Sequence, residues 1–191
     1  MGRKGLLLSL VAMAVFGAGA AHSRECRGVG FPDQIQSDGS GLMLNGLGLR
    51  QATVFKVNVY VAALYLVKTS TDANVILGTP APYELVLHFV RNVDASDIDK
   101  GWAEGFERNA HAQLPALQER ITTLTTWMTD IKSGQRLQFS FKPGGGLRVT
   151  VNGAMKGSIS GDDFGRAFLS IWLGLPPNPE VKAGMLGGIC S

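Results

Sequence analysis

The chain has 191 residues, with 18 Lys and Arg against 15 Asp and Glu, a formal net charge of +3, and two cysteines. Arg3 and Lys4 belong to an N-terminal leader; without them 16 basic residues face 15 acidic ones, a balance that excludes electrostatically driven nucleic-acid binding. The roughly 170 residues after the leader suffice for one domain that buries about 70% of its unfolded surface.

The leader comes first in chain order. Behind Arg3 and Lys4 runs an apolar stretch over 6–16, then small residues with Ala18-Gly19-Ala20 as an A-x-A cleavage site. This is the pattern of a secretory signal peptide over 1–20, too short and wrongly flanked for a membrane span. No cysteine follows the cleavage site directly, which argues against a lipid anchor, and no later run is long enough to span a bilayer. The expected mature protein is a single domain over 21–191, periplasmic or secreted and not membrane-spanning. Cys26 and Cys190 lie near its opposite ends. An oxidising compartment allows them to pair and tie the termini together; two unpaired thiols are the alternative, because a disulfide depends on geometry.

A weak strand is expected over 31–36, followed by the turn Asp38-Gly39-Ser40-Gly41. Strands over 42–50 and 54–67 follow, the longest apolar, β-branched stretch outside the leader. From Phe55 the residues alternate, with Phe55, Val57, Val59 and Val61 on a dry face and Lys56, Asn58 and Tyr60 on a wetter one. The segment 68–82 reads as loop with a helical turn near 74–77, and 83–91 as a strand with Tyr83, Leu85, Leu87 and Phe89 on one face. The period then changes to that of a helix. Asp94 or Ser96 can cap it, Asp97 and Asp99 suit the positive end of its dipole, and Ile98, Trp102 and Phe106 form one stripe.

A second helix follows Pro115, with Leu114, Leu117, Ile121, Leu124 and Met128 at 3-4-3-4 spacing, and Ser133-Gly134 stops it. A hairpin comes next, Leu137, Phe139 and Phe141 on one arm and Leu147, Val149 and Val151 on the other, joined through Pro143-Gly144-Gly145-Gly146. A short strand over 155–159 and a helix carrying Phe164, Phe168, Ile171 and Trp172 precede a short C-terminal helix. Strands, helices, strands and a helix in that order give an α+β protein with a mostly antiparallel sheet.

Common chemistry motifs fail. Gly46-Leu47-Gly48-Leu49-Arg50-Gln51 starts like a dinucleotide fingerprint but lacks the third glycine and leads into a strand. Lys142-Pro143-Gly144-Gly145-Gly146 lacks the Gly-Lys-Ser/Thr of a phosphate loop, and Gly157-Ser158-Ile159-Ser160-Gly161 has Ile159 where a nucleophile elbow needs serine. His22, His88 and His111 lack metal-ligand spacing, so neither a metal nor a cofactor is expected.

The stretch from Gly46 to Arg50, followed by Val59-Tyr60-Val61-Ala62-Ala63-Leu64-Tyr65-Leu66, resembles the chalcone isomerase-like superfamily in its bacterial exported branch. The likeness covers about 30–190 and includes Gly161-Asp162-Asp163-Phe164 and Ile171-Trp172-Leu173-Gly174. It implies an open-faced β-sandwich of the chalcone isomerase type, a large antiparallel sheet with helices packed on one face. In the plant enzymes, which cyclise a chalcone by intramolecular attack of a phenolate on an enone, the arginine after the Gly-x-Gly step lies in the ligand cleft, and Arg50 matches it. Those enzymes carry threonine where Tyr60 falls, and a Tyr-x-x-Lys-x-x-x-Asn motif at the start of the first long helix. Lys100 matches the lysine, but the tyrosine and asparagine positions hold Asp97 and Glu104. The Arg-plus-Tyr combination resembles instead the non-catalytic, fatty-acid-binding branch.

A guanidinium offers a planar fork to a carboxylate, and a tyrosine hydroxyl adds a donor. The expected function is therefore binding of a small carboxylate or acyl ligand by Arg50 and Tyr60. One alternative is an isomerase or lyase using Arg50 and Lys100 in the same cleft. Another is a scaffold or partner-binding protein in which Arg50 pairs with an acid and Tyr60 fills core. Ten residues of a straight strand span about 33 Å, so Arg50 and Tyr60 share a ligand only if the chain folds back near 51–56. No Gly or Pro marks a turn there, so this reading commits to an unusual hairpin. Export makes the first prediction: N-terminal sequencing of secreted protein should begin near Ala21 or His22, and recovery only of an intact Met1 chain from the cytoplasm would refute the leader.

Overall fold

The computed structural model describes residues 22–190; the leader lies outside them. Seven strands form one antiparallel sheet in simple sequence order: β3 (Gln34–Ser37), β4 (Ser40–Ala52), β5 (Val57–Leu66), β6 (Tyr83–Phe89), β7 (Arg136–Lys142), β8 (Gly146–Val151) and β9 (Ala154–Ile159). Before them, β1 (Ser23–Cys26) and β2 (Val29–Pro32) make a separate two-stranded ribbon. The helices are α1 (Ala73–Gly78), α2 (Ala95–Ala110), α3 (Leu114–Thr126), α4 (Asp162–Leu173) and α5 (Pro179–Met185).

Alternation along the strands sorts two cores. On the helix face, Leu64, Leu85, Phe139 and Val149 pack with Trp102 and Phe106 of α2, Leu117 of α3 and Phe168 of α4. On the other face, Leu42, Leu49, Val61 and Tyr65 pack with Cys26 and Phe31 of the ribbon. The expected fold of a large antiparallel sheet with helices on one face is what the chain adopts.

Several local expectations are corrected. The strand over 31–36 is two strands separated at Asp33, and β1 arises from a short polar segment that carries no clear period of its own. The strand over 54–67 starts only at Val57. Phe55 occupies no dry strand face; it is 85% exposed at a hairpin apex, with Val54 at 91%. From Val61 to Leu66 both faces of β5 are buried, so no wet side exists there. The second helix ends at Thr126, short of Ser133-Gly134, although Met128 still reaches the core. Asp94 does sit at the N-cap of α2 but makes no side-chain cap bond; the Ala95 amide donates instead to Asp130 Oδ1 at 3.0 Å.

The register between β4 and β5 positions everything that follows. Leu44 faces Tyr65 while Gly46 faces Leu64, so Asn45 is an extra residue, a β-bulge. Its side chain is buried and fully bonded. Nδ2 donates to Ser70 O at 2.9 Å and to Met185 O at 2.7 Å, and Oδ1 accepts from the Ser70 amide at 2.8 Å. A one-residue shift exchanges the faces of a strand. Accordingly Leu42 and Leu44 before the bulge, and Leu47 and Leu49 after it, all point to the ribbon side. Gly46, Gly48 and Arg50 thereby turn to the helix face. The two glycines have a steric reason: a Cβ on Gly46 would run into Gly184 O, and one on Gly48 into Val181 O. The backbone of α5 lies directly on β4.

The C-terminal tail continues this attachment. Leu47 and Ile189 form a parallel bridge, with Leu47 N donating to Gly188 O at 3.0 Å and Cys190 N to Leu47 O at 2.9 Å. Cys190 is disulfide-bonded to Cys26, Cα to Cα 5.4 Å, across 164 residues of sequence. Closing so long a loop stabilises chiefly by restricting the unfolded chain, by about 5 kcal/mol at most. Thiol titration of unreduced, denatured protein should find no free thiol, and Cys26→Ala with Cys190→Ala should lower stability in urea by up to that amount; two titratable thiols in exported protein would contradict the pairing.

Candidate ligand-binding site

Arg50 and Tyr60 are direct cross-strand partners of β4 and β5. The chain does fold back between them, through a tight hairpin over 53–56. The turn is made without glycine: Thr53 and Lys56 both take positive φ, 63° and 50°. Lys56 N donates to Thr53 O at 3.2 Å, and Gln51 Nε2 reaches across to Lys56 O at 3.1 Å and Asn58 Oδ1 at 2.9 Å. These bonds offset left-handed backbone that a β-branched threonine adopts only at a cost. A second bulge lies beside the pair. Arg50 faces Tyr60 while Gln51 faces Asn58, leaving Val59 as the extra residue, and both Val59 and Tyr60 line the cavity below.

That cavity has a volume of about 610 Å3, within the usual range for small-molecule sites. Arg50 and Tyr60 stand on its sheet side. Its apolar wall includes Leu87, Phe89 and Leu137 of the sheet, Ile98 and Trp102 of α2, and Ile171 and Trp172 of α4. Lys100, expected as the candidate catalytic lysine, lines the same space as an exposed side chain, together with Asp97 and Glu104. The structure thus gathers Arg50, Tyr60 and Lys100 around one cavity. Cys26 and Cys190 belong to the opposite face of the sheet and take no part in it.

Arg50 is half-buried and forms no ion pair among the described residues. Its Nη1 donates to Gln51 O and, at 3.4 Å, to Asn178 Oδ1. Asn178 also accepts from Gln51 N at 3.3 Å and donates to Leu49 O at 3.3 Å, clipping the α4–α5 connection to the end of β4. The guanidinium is therefore oriented by neutral oxygens and keeps its charge uncompensated. Tyr60 Oη accepts a hydrogen bond from Nε1 of the fully buried Trp172 at 2.9 Å, and its ring leans on Phe89 at 5.4 Å between centroids. Because the hydroxyl already accepts, its own proton is directed elsewhere, and it can serve as donor to a ligand.

Burial raises the Tyr60 pKa above the ordinary tyrosine range; the Trp172 bond and the charge of Arg50 act the other way and are outweighed. Tyr60 stays a neutral donor at physiological pH. Trp172 and Asn178 are the site residues that sequence reasoning missed: Trp172 reads as one more member of a core stripe, and Asn178 lies in a proline-rich connection. Among the described residues no group of His, Cys, Asp and Glu is arranged to hold a metal ion, and no helix is long and apolar enough to cross a membrane.

A family model described as chalcone isomerase-like matches residues 23–187. The chain belongs to the chalcone isomerase-like family. Among solved structures, the chain is similar to a fatty-acid binding protein of Arabidopsis thaliana, at 18% identity and a TM-score of 0.67 over 87% of this chain and 96% of that one. At that identity the likeness concerns the fold. No curated protein matched this chalcone isomerase-like chain.

All three tyrosines of the chain have raised pKa values: Tyr60 and Tyr83 through burial, and Tyr65 through burial and the nearby Glu84 carboxylate, which outweigh Arg136 and Arg24. A raised folded-state pKa stabilises the fold below the unfolded value near 10.0, and the contribution is lost as pH rises above it. Spectrophotometric titration of the folded protein should place tyrosine ionisation above that of the unfolded chain, whose tyrosines titrate near 10.0. A reversible phenolate signal centred near pH 10 with the fold intact would show that at least one of these hydroxyls is solvated.

Proposed function

We propose that this protein binds a small carboxylate or fatty-acid-like ligand without transforming it. The carrying observation is the cross-strand placement of Arg50 and Tyr60 on one side of a cavity that has an apolar wall of sheet, α2 and α4 residues, the guanidinium without an anion and the hydroxyl with its proton free. A carboxylate placed between them receives a charge-assisted fork from Arg50 and a hydrogen bond from Tyr60. The tail lies along Leu87, Leu137, Ile98 and Trp102. The similarity to a plant fatty-acid binding protein supports an acyl ligand. Asp97 and Glu104, in place of the enzyme motif's tyrosine and asparagine, argue against an isomerase or lyase built on Arg50 and Lys100. The open cavity argues against a scaffold with no ligand. The leader pattern over 1–20 supports export to the periplasm or beyond, as in the bacterial exported branch, and a disulfide between Cys26 and Cys190 fits an oxidising compartment.

Calorimetric titration with fatty acids tests the ligand. Arg50→Ala should lose about 1.5–3 kcal/mol of binding free energy and Tyr60→Phe about 0.5–1.5 kcal/mol. Arg50→Lys should rescue only in part, since an ammonium lacks the planar fork. Tyr60 stays neutral through the physiological range, so affinity should fall below about pH 5 as the ligand carboxylate protonates. Equal binding by the wild type and Arg50→Ala, or cyclisation of a chalcone that depends on Arg50 and Lys100, would overturn this assignment.

A further inference from the structure

Besides Gly78, which closes α1, four glycines lie in helix interiors: Gly101 and Gly105 in α2, Gly165 in α4 and Gly184 in α5. Three of them are enforced by packing. A Cβ on Gly105 would stand 2.7 Å from Ile171 Cγ2, one on Gly165 would enter the ring of Phe141, and one on Gly184 would strike Leu47 O. Gly101 differs. A Cβ there meets no atom within 4 Å, and its φ lies in the ordinary range that any residue adopts. The fold gives no steric reason for glycine at this position. Glycine in mid-helix is nonetheless among the least favourable residues, because it loses the most backbone freedom on folding.

Gly101 is exposed and lies on the rim of the cavity, among its lining residues. Asp97, Gly101, Glu104 and Arg108 follow one another at i, i+4, i+7 and i+11, a single stripe of α2, and all four line it. The buried stripe of Ile98, Trp102 and Phe106 lies beside them. Gly101 is thus the notch in a wall otherwise carrying long charged side chains, on the helix that faces the β-strand pair Arg50 and Tyr60.

We propose that Gly101 sets the capacity of the cavity: the absent side chain is the room taken by the acyl tail of the ligand. This rests on the binding function proposed above and names a residue that decides which chain lengths fit. A helix-stabilising residue is given up at this position for the sake of volume. Gly101→Ala should therefore fold and gain stability, with Tm higher by about 1–4 °C. Larger side chains should fill the notch. Every methylene denied a place in the cavity weakens binding by about fourfold.

The test is calorimetric titration of wild type, Gly101→Ala, Gly101→Leu and Gly101→Trp with hexanoic, decanoic and hexadecanoic acids below their aggregation limits, with melting curves for each variant. The expected result is a shortened chain-length profile. Gly101→Leu and Gly101→Trp keep hexanoic acid within about twofold of wild type, and keep its dependence on Arg50, but lose tenfold or more in affinity for the longest acid that wild type binds. A Gly101→Trp profile that follows wild type at every length overturns the proposal and leaves the Arg50–Tyr60 site standing. A Gly101→Ala variant that melts below wild type removes the argument that glycine is kept for volume. If wild type binds none of the three acids, the site reading falls and this proposal falls with it.

Discussion

The site depends on one residue too many in β4. Without Asn45 as a bulge, Arg50 would share the face of Leu42 and Leu44 and would point at the ribbon, across the sheet from Tyr60. The bulge is held because its side chain satisfies buried backbone groups from two distant segments, Ser70 and Met185. A buried asparagine with those partners is rigid, since loss of any one bond strands a polar group away from water. The shifted strand then presents Gly46 and Gly48 to α5, and the backbones meet without side chains between them. Register, helix docking and the direction of the guanidinium are consequences of the same inserted residue.

Around that frame the Arg50 guanidinium is left without a carboxylate partner among the described residues. A half-buried guanidinium normally finds a carboxylate. Arg50 instead finds a backbone carbonyl and an amide oxygen, which orient its plane and leave its charge intact. The nearby Glu180 is engaged elsewhere, accepting from Asn178 Nδ2 at 3.2 Å and pairing with Lys56 at 3.6 Å. Tyr60 is treated in the complementary way, its acceptor capacity occupied by an indole and its proton left over. Both groups are held by neutral partners.

Much of this architecture could be read from residue order. The alternation of Leu137, Phe139 and Phe141 against Leu147, Val149 and Val151, and the spacing of Ile98, Trp102 and Phe106, are strong because each element buries one face over its whole length. The hairpin that unites Arg50 with Tyr60 could be inferred only from the requirement that they meet. Its turn is stabilised by Gln51, Thr53 and Asn58 side-chain bonds, with none of the usual turn formers at the apex. The first strand was hidden because Ser23-Arg24-Glu25-Cys26 is short and polar and is fixed by its disulfide and by Arg24 bonding to Asp33 and Leu44 O. Bulges at Asn45 and Val59 have no local signal at all: both are register facts that exist only between strands. Trp172 belongs to a stripe that is otherwise plain core, and only its contact with Tyr60 distinguishes it.

The disulfide gives the exposed apex at Val54 and Phe55 an unusual topology. A protease reaching that apex would cut between the two halves of the hairpin, with Arg50 on one fragment and Tyr60 on the other. The fragments would remain one covalent object, because Cys26 lies on the first and Cys190 on the second. They would also remain zipped, since β4 and β5 stay paired down to Leu66 and α5 stays seated on β4. A nicked molecule of this kind is a circular permutant in all but the peptide bond, its new ends at the mouth of the cavity and its old ends joined by sulfur.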